Sequence, residues 1–259
     1  MIKVAPSWIE ASWPKIPGFN ALTTLTAGGV STGSFKGLNL GINTEDAASS
    51  VIANRQILQN ALHLTRPIVW ITQKHTNLVL NLDKVINFVG AAPIADAVFT
   101  GLKHSVCAVV TADCMPILLR SPKYHLVAAV HAGWRGVVNG VIDNTINALL
   151  KLTGSALLDD LEAWIGPSIS ATAFETGCDV VQKLLAKNAS LINCCKQKTN
   201  ASMQKYYVDL PMAARLILKQ CGVSKVYGGD HCTFMEKERF YSYRRNNQTG
   251  RMASLIWMD

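Results

Sequence analysis

The sequence predicts a mixed α/β (α+β) protein folded as a single domain over residues 1–259. Three observations carry that expectation. Short apolar, β-branched runs recur along the whole chain; longer segments with helical spacing of apolar residues alternate with them; and no linker-like, low-complexity or repeated segment divides the pattern. With 49% of its 259 residues hydrophobic and 16% charged, the chain has enough apolar surface for a large core.

Taken in order, residues 21–29 have the pattern of a strand running into a glycine turn, and residues 33–41 that of a loop. A helix is predicted over residues 46–64, with Val51, Ile57, Leu58 and Leu62 at its apolar positions and Asp46 as its N-cap. The runs 67–72, 78–82, 106–111, 116–119 and 126–130 have the composition of buried strands, so a sheet is expected at the heart of the fold. Further helices are predicted over residues 137–152 and 211–221, the second stopped by Gly222, and the polar stretch 196–205 reads as a surface loop.

The formal charge of +8 and the isoelectric point near 9.2 suit an anionic partner. Lys237, Arg239, Arg244, Arg245 and Arg251, with Tyr241 and Tyr243 among them, form either a nucleotide- or phosphate-binding surface or a solvated face that favours solubility. No apolar run is long enough to span a bilayer, so no membrane partner is expected. Trp8, Glu10, Trp13, Pro14 and Pro17 break the basic-then-apolar design of a signal peptide. Seven cysteines at irregular spacing, with Cys194 and Cys195 adjacent, form neither a disulfide framework nor a metal knuckle, which points to a reducing compartment, the cytoplasm.

Chemistry concentrates where apolar runs end. The run Val130-His131-Ala132-Gly133-Trp134-Arg135-Gly136 aims an imidazole, backbone amides and a fixed positive charge into one glycine-rich turn. His75 follows the run 67–72 through Gln73 and Lys74, and Cys114 follows the run 106–111 through Ala112 and Asp113. Two imidazoles and a thiolate suit a catalytic zinc with an open fourth position. The plainer alternative is a buried cysteine acting as a small hydrophobe and histidines satisfied by hydrogen bonds, and spacing leaves both open.

A resemblance extends this reading. Thr72-Gln73-Lys74-His75, Asp96-Ala97-Val98-Phe99-Thr100, Thr111-Ala112-Asp113-Cys114-Met115-Pro116, the His131-to-Gly136 block, Ile165-Gly166-Pro167-Ser168-Ile169, Cys232-Thr233 and Tyr241-Ser242-Tyr243-Arg244-Arg245 resemble, in order and spacing, the YfiH/laccase-domain family. Gly28-Gly29-Val30-Ser31, Leu38-Asn39-Leu40-Gly41 and Asn54-Arg55 carry the resemblance over nearly the whole chain. It implies mixed β-sheets layered between helices, and zinc held by His75, Cys114 and His131. The sequence departs from the family at Lys74 and Thr76, where an apolar residue and glycine are frequent, and at Ser170, where glycine is common; these changes bear on the rim of the pocket.

The resemblance further implies phosphorolysis of purine nucleosides (adenosine, inosine and methylthioadenosine) and deamination of adenosine at the same pocket, so purine nucleosides and phosphate are the expected partners. Phosphorolysis needs an anion-binding corner, for which Arg55, Arg135 and Arg244 are the candidates, Arg135 being nearest the metal in sequence. Deamination needs a carboxylate to move protons. The His-x-Glu and Pro-Cys-x-x-Cys pattern of zinc deaminases is absent, leaving Asp113 and Glu175 as candidates, with Asp113 alternatively orienting a ligand.

Other classes compete. A multicopper polyphenol oxidase, an older label for the family, needs many more imidazoles than the six available, His63, His75, His104, His125, His131 and His231. Met115 as a blue-copper axial ligand would point to the opposite face from Cys114, which leaves copper as a substitute metal. Cys114 as a nucleophile with His75 or His131 as base would make a cysteine hydrolase, and relatives implied to act in peptidoglycan editing suggest amide hydrolysis on a muropeptide precursor; zinc and nucleophile compete for one sulfur. A non-catalytic nucleotide or nucleic-acid module would use the basic C-terminal stretch but leave the three ligand-type residues without a task, and no nucleic-acid motif is present. Cys107, Cys178, Cys221 and Cys232 are assigned to packing, Cys232 being the first to reconsider because it belongs to a matching block.

Overall fold

The computed structural model describes residues 5–85, 91–199 and 204–259. In chain order its elements are β1 (Trp8–Glu10), β2 (Phe19–Thr24), α1 (Ala48–Ala61), β3 (Val79–Asn81), β4 (Ala97–Thr100), β5 (Cys107–Thr111), β6 (Met115–Ser121), β7 (Leu126–Ala132), α2 (Trp134–Asn139), α3 (Val141–Thr153), β8 (Glu162–Ile165), β9 (Glu175–Gly177), α4 (Cys178–Lys187), β10 (Cys195–Gln197), β11 (Lys205–Val208), α5 (Leu210–Gln220), β12 (Lys225–Gly228) and β13 (Met252–Met258). They form a six-stranded sheet in the order β12, β8, β6, β7, β4, β3, a four-stranded sheet in the order β1, β2, β13, β5, and a small sheet of β10, β11 and β9. The six-stranded sheet is mixed: its inner pairs are antiparallel, and β12 and β3 join its edges in parallel.

Every residue of β6 and β7 is buried, which explains their unbroken apolar composition. One face of this sheet packs Ile117, Ala128 and Val130 against Ile142, Ile146 and Leu149 of α3, Val181 and Leu184 of α4, and Ile217 of α5. The other packs Leu118, Val127 and Ala129 against Cys107 and Val109 of β5 and Ile256 of β13. Because side chains alternate along a strand, Ala108, Leu255 and Trp257 face outward from the four-stranded sheet and are covered by Leu58 of α1. The result is four layers, helix, sheet, sheet and helices, as expected for mixed sheets between helices.

Several boundaries differ from the sequence expectation. The first helix starts at Ala48, and Asp46 does not cap it through its side chain, because that carboxylate accepts hydrogen bonds from Ser31 and Asn39. The strand expected over residues 21–29 runs from Phe19 to Thr24. The run 67–72 is no strand: Thr72 makes one isolated bridge to Ile94, while Ile68 and Ile71 are buried from a loop. The run 78–82 yields only β3, followed by a short 3-10 turn. The helix expected over residues 137–152 is two helices, broken where Gly140 takes φ +84°. In the stretch 196–205, Cys195–Gln197 and Lys205–Val208 pair as antiparallel strands, and residues 200–203 lie outside the described ones. The helix α5 matches its expectation, with the Asp209 side chain capping the Met212 amide and Gly222 beyond its end.

No helix among the described residues is long and apolar enough to cross a membrane. A buried ion pair joins β6 and β8, neighbouring inner strands of the six-stranded sheet. Arg120, 1% exposed, donates to Glu162 on the neighbouring strand at 2.8 and 2.6 Å and to the Pro14 carbonyl, with its guanidinium 4.2 Å from the Trp13 ring. Glu162→Gln keeps the shape and removes the charge, so it is expected to destabilise the fold by about 3 kcal/mol, because Arg120 is left buried without its counter-ion. Urea unfolding measures this as a lowered midpoint at unchanged slope; a loss under about 0.5 kcal/mol, the scale of an exposed pair, would contradict it.

Candidate metal centre and its cavity

The Thr72-Gln73-Lys74-His75 segment has no regular structure and is held by two devices. The Gln73 side-chain amide donates to the Val110 carbonyl and accepts from the Val110 amide, both at 2.8 Å, so it pairs with β5 as a neighbouring strand would. The Asp96 carboxylate, directly before β4 and fully buried, accepts from the amides of Lys74, His75 and Thr76 at 3.2, 3.0 and 2.6 Å and from the Thr76 hydroxyl at 2.7 Å. Thr76 is thus an anchor. These bonds hold His75 at φ 57°, in the left-handed region.

His131 lies near the end of β7, which continues to Ala132, so this histidine is inside the strand and not beyond it. Its Nδ1 is 2.8 Å from Asp96 Oδ1, and its amide donates to the Asp96 carbonyl. Cys114 lies in the turn between β5 and β6, where Asp113 has φ +91°. Asp113 is held on both oxygens, by the Thr233 hydroxyl and the Arg244 amide, each at 2.6 Å. Cys114 Sγ is 3.6 Å from His75 Nε2, and donor atoms of His75, Cys114 and His131 all lie within 4.8 Å of one another. Among the described residues this is the one such group of three or more His, Cys, Asp or Glu. Met115 packs into the core, as alternation along the chain requires.

The surroundings fit a metal ion. A Cβ on Gly133 would lie 2.5 Å from Cys114 Sγ and 3.2 Å from His75 Cδ2, so only glycine leaves the cluster its space. Burial opposes ionisation of Cys114, but His131 and His75 outweigh it and bring the thiol down to about 6. Burial likewise opposes charge on His131, yet Cys114 and Asp96 raise it to about 9. Asp96, despite burial, is held well below the usual carboxylate range by His131 and Thr76. A thiolate and two imidazoles, one with its other nitrogen on a carboxylate, are a donor set that could hold a metal ion, with the supporting contact such ligands use.

The cluster opens into a cavity of about 570 Å³. Ile42, Ile71, Val110, Ile169, Phe174 and Leu210 supply its apolar wall, and Asp113 is the only carboxylate among the described lining residues. Four arginines line it, each beside an aromatic ring. Arg55 donates twice to the Leu40 carbonyl with its guanidinium 4.1 Å from Trp70, and burial lowers it to about 10. Arg135 is exposed and lies 4.4 Å from Trp134. Arg244 donates to the Ala173 and Glu175 carbonyls and lies 5.3 Å from Phe174. Arg251, 5.8 Å from Tyr243, belongs to the basic C-terminal stretch of the sequence but was not among the three arginines expected at the anion corner.

The structure thus brings together His75, Cys114, His131, Asp113, Arg55, Arg135 and Arg244. Glu175 is the exception: it does not line the cavity, and its carboxylate pairs with Lys198 at 2.6 Å. Sequence reasoning assigned no role to Asp96 or Gln73, although both stand in matching blocks; a lone acid directly before a buried apolar run was the available signal for Asp96.

The family described as multi-copper polyphenol oxidoreductase laccase matches residues 20–259. A Haemophilus influenzae protein named purine nucleoside phosphorylase is 39% identical over 97% of this chain and 99% of its own length. Purine nucleoside phosphorylase YfiH of Escherichia coli is 38% identical over 96% of this chain and 98% of its own. The crystal structure of a Neisseria meningitidis protein is similar with a TM-score of 0.88 at 40% identity, covering 97% of this chain and 99% of that one. YlmD from Geobacillus stearothermophilus gives 0.85 at 29% identity over 97% and 96%.

Two substitutions test the cluster. Asp96→Asn keeps one acceptor oxygen but removes the charge behind His131, and zinc affinity is expected to fall roughly ten- to a hundredfold in a chelator competition; an unchanged affinity would detach Asp96 from metal binding. Gly133→Ala forces Cys114 Sγ aside, and after dialysis against a chelator the variant is expected to retain less metal than the parent chain while keeping its circular dichroism. Equal retention would show that the space beside Sγ is not needed.

Proposed function

The chain belongs to the family described as multi-copper polyphenol oxidoreductase laccase, which includes the YfiH proteins, and on that premise we propose that it is a zinc-dependent purine nucleoside phosphorylase of broad specificity. Adenosine, inosine and methylthioadenosine are the substrates in this reading, and adenosine deamination is a second reaction. The observation that carries it is the His75, Cys114 and His131 cluster on the wall of a cavity that also presents four arginines. The names of the relatives support the same reaction. The cavity is lined from Gly41 to Arg251, which supports treating residues 1–259 as one functional unit, and seven free cysteines suit the reducing cytoplasm.

In phosphorolysis a phosphate oxygen forms a bond to the anomeric carbon of the sugar as the glycosidic bond to the purine nitrogen breaks and the base takes up a proton, yielding free base and ribose 1-phosphate, or the methylthioribose 1-phosphate from methylthioadenosine. His75, Cys114 and His131 would hold the zinc, which when bound supplies a Lewis acid toward an oxygen of phosphate or substrate. Arg55, Arg135 and Arg244 offer planar forks matched to phosphate oxygens, and the aromatic ring beside each limits its movement. The apolar wall receives the nucleoside and excludes water; a volume of about 570 Å³ lies within the range of small-molecule pockets. Asp113, with both oxygens engaged, serves as a bracket that aims Cys114 and is poorly placed to shuttle protons. With Glu175 tied to Lys198, the geometry favours phosphorolysis over deamination.

A second reading has one observation in its favour: a Cys114 thiol brought down to about 6 beside His75 suits a cysteine hydrolase acting on a peptidoglycan precursor. One experiment separates the two. Purified protein of known metal content is incubated with adenosine, inosine or methylthioadenosine, with and without phosphate, while free base, ribose phosphate and ammonia are followed. Phosphate-dependent base release from zinc-loaded protein is expected, and ammonia with inosine from adenosine reports deamination separately. No phosphate-dependent release, with metal-free protein labelled at Cys114 by a thiol reagent, would turn the assignment to the hydrolase.

A further inference from the structure

We infer that Arg251 is a principal phosphate-binding residue of the cavity, alongside the arginines that the sequence motifs indicate; this deepens the phosphorylase reading and rests on it.

The backbone of Arg251 is fixed on both sides to the segment that begins the cavity wall: its amide donates to the buried Asn39 side chain at 2.9 Å, and its carbonyl accepts from the Leu40 amide at 3.1 Å. The stem of the side chain runs over Gly41, where a Cβ would lie 2.5 Å from Arg251 Cγ. Gly41 is therefore glycine because Arg251 passes there. At the far end, Nη1 donates to the Thr249 and Gly250 carbonyls at 2.6 and 2.9 Å. One nitrogen of the fork is thus anchored, and Nε and Nη2 have no protein partner among the described residues.

The cation is half-buried, and among the described residues it makes no ion pair. The carboxylate sharing its cavity, Asp113, is already engaged on both oxygens. Burial lowers its pKa, with the nearby Cys114 and Asp113 acting in the opposite sense, so the guanidinium feels the cluster that holds Cys114. Arg135, by contrast, is exposed. A half-dehydrated, immobilised guanidinium with two free donors and no counter-ion calls for a small oxyanion with acceptors spaced for a fork. In phosphorolysis that oxyanion is orthophosphate.

The test uses the zinc-loaded full chain, its Arg251→Gln and Arg251→Lys variants, and two measurements. In steady-state assays varying phosphate and inosine separately, Arg251→Gln is expected to raise the KM for phosphate roughly ten- to a hundredfold, the scale of a lost charged hydrogen bond, with the KM for inosine changed less than about twofold and zinc content kept. Arg251→Lys, which restores charge without the fork, is expected to fall between the parent and Arg251→Gln. Equal effects on both KM values, or none on that for phosphate, would overturn the inference. Direct orthophosphate binding, followed by phosphorus NMR line broadening, separates this inference from the reaction itself. Binding by the parent chain that is lost in Arg251→Gln upholds the site even where no base is released, whereas equal binding by both, or none by the parent, defeats it.

Discussion

The site depends on one buried carboxylate. Asp96 accepts hydrogen bonds from three successive amides, a hydroxyl and an imidazole, while fully shielded from water. A carboxylate so placed is tolerable only when its acceptor capacity is filled, and the residues that fill it are those that must be held: a loop without regular structure on one side and His131 on the other. The demand of Asp96 for donors and the need of the His75 loop for a support are the same requirement. Gln73 completes it from the opposite end by pairing with the free side of β5.

The layering explains why the third donor arrives at the same point. β5 belongs to the four-stranded sheet and β6 to the six-stranded sheet, so the short turn through Asp113 and Cys114 is where the chain crosses between the two layers. The left-handed conformation of Asp113 makes the crossing tight, and its two hydrogen bonds make it rigid. Cys114 thus stands at the seam between the sheets, beside the end of β7. The cavity occupies the open end of that seam, with arginines reaching it from the first helix, the His131 turn and the segment before β13.

Much of this arrangement was legible in the sequence. Uniform apolar runs located β5, β6 and β7, with ends displaced by up to two residues, because strands buried on both faces leave no polar alternation to confuse them. Donor residues directly after such runs pointed to the cluster, and the motif blocks to its family. What escaped depends on partners remote in the chain. The run 67–72 has strand composition but spends its pairing on one bridge, and a chain-local pattern cannot show that Gln73 takes over the edge of β5. The helical pattern continued smoothly through Gly140, where the backbone turns left-handed and separates α2 from α3. Glu175 follows the Gly166-Pro167 turn as expected of a site residue, but Lys198, on the chain leaving β10, draws its carboxylate away. Asp96 and Arg251 owe their importance to contacts across tens to hundreds of positions.

The place of β13 bears on how the molecule comes into being. This strand, the last in chain order, lies inside its sheet, between β2 and β5. Until β13 has been made, β2 and β5 therefore lack the strand that joins them, a long-range closure of the kind that slows folding and leaves intermediates prone to association. Tyr243, Arg244 and Arg251 arrive with the same segment, so the arginine-bearing wall of the cavity is completed in the step that closes the sheet. The cavity wall and the sheet are consequently completed together, and a ligand that favours the finished wall would draw β13 into place.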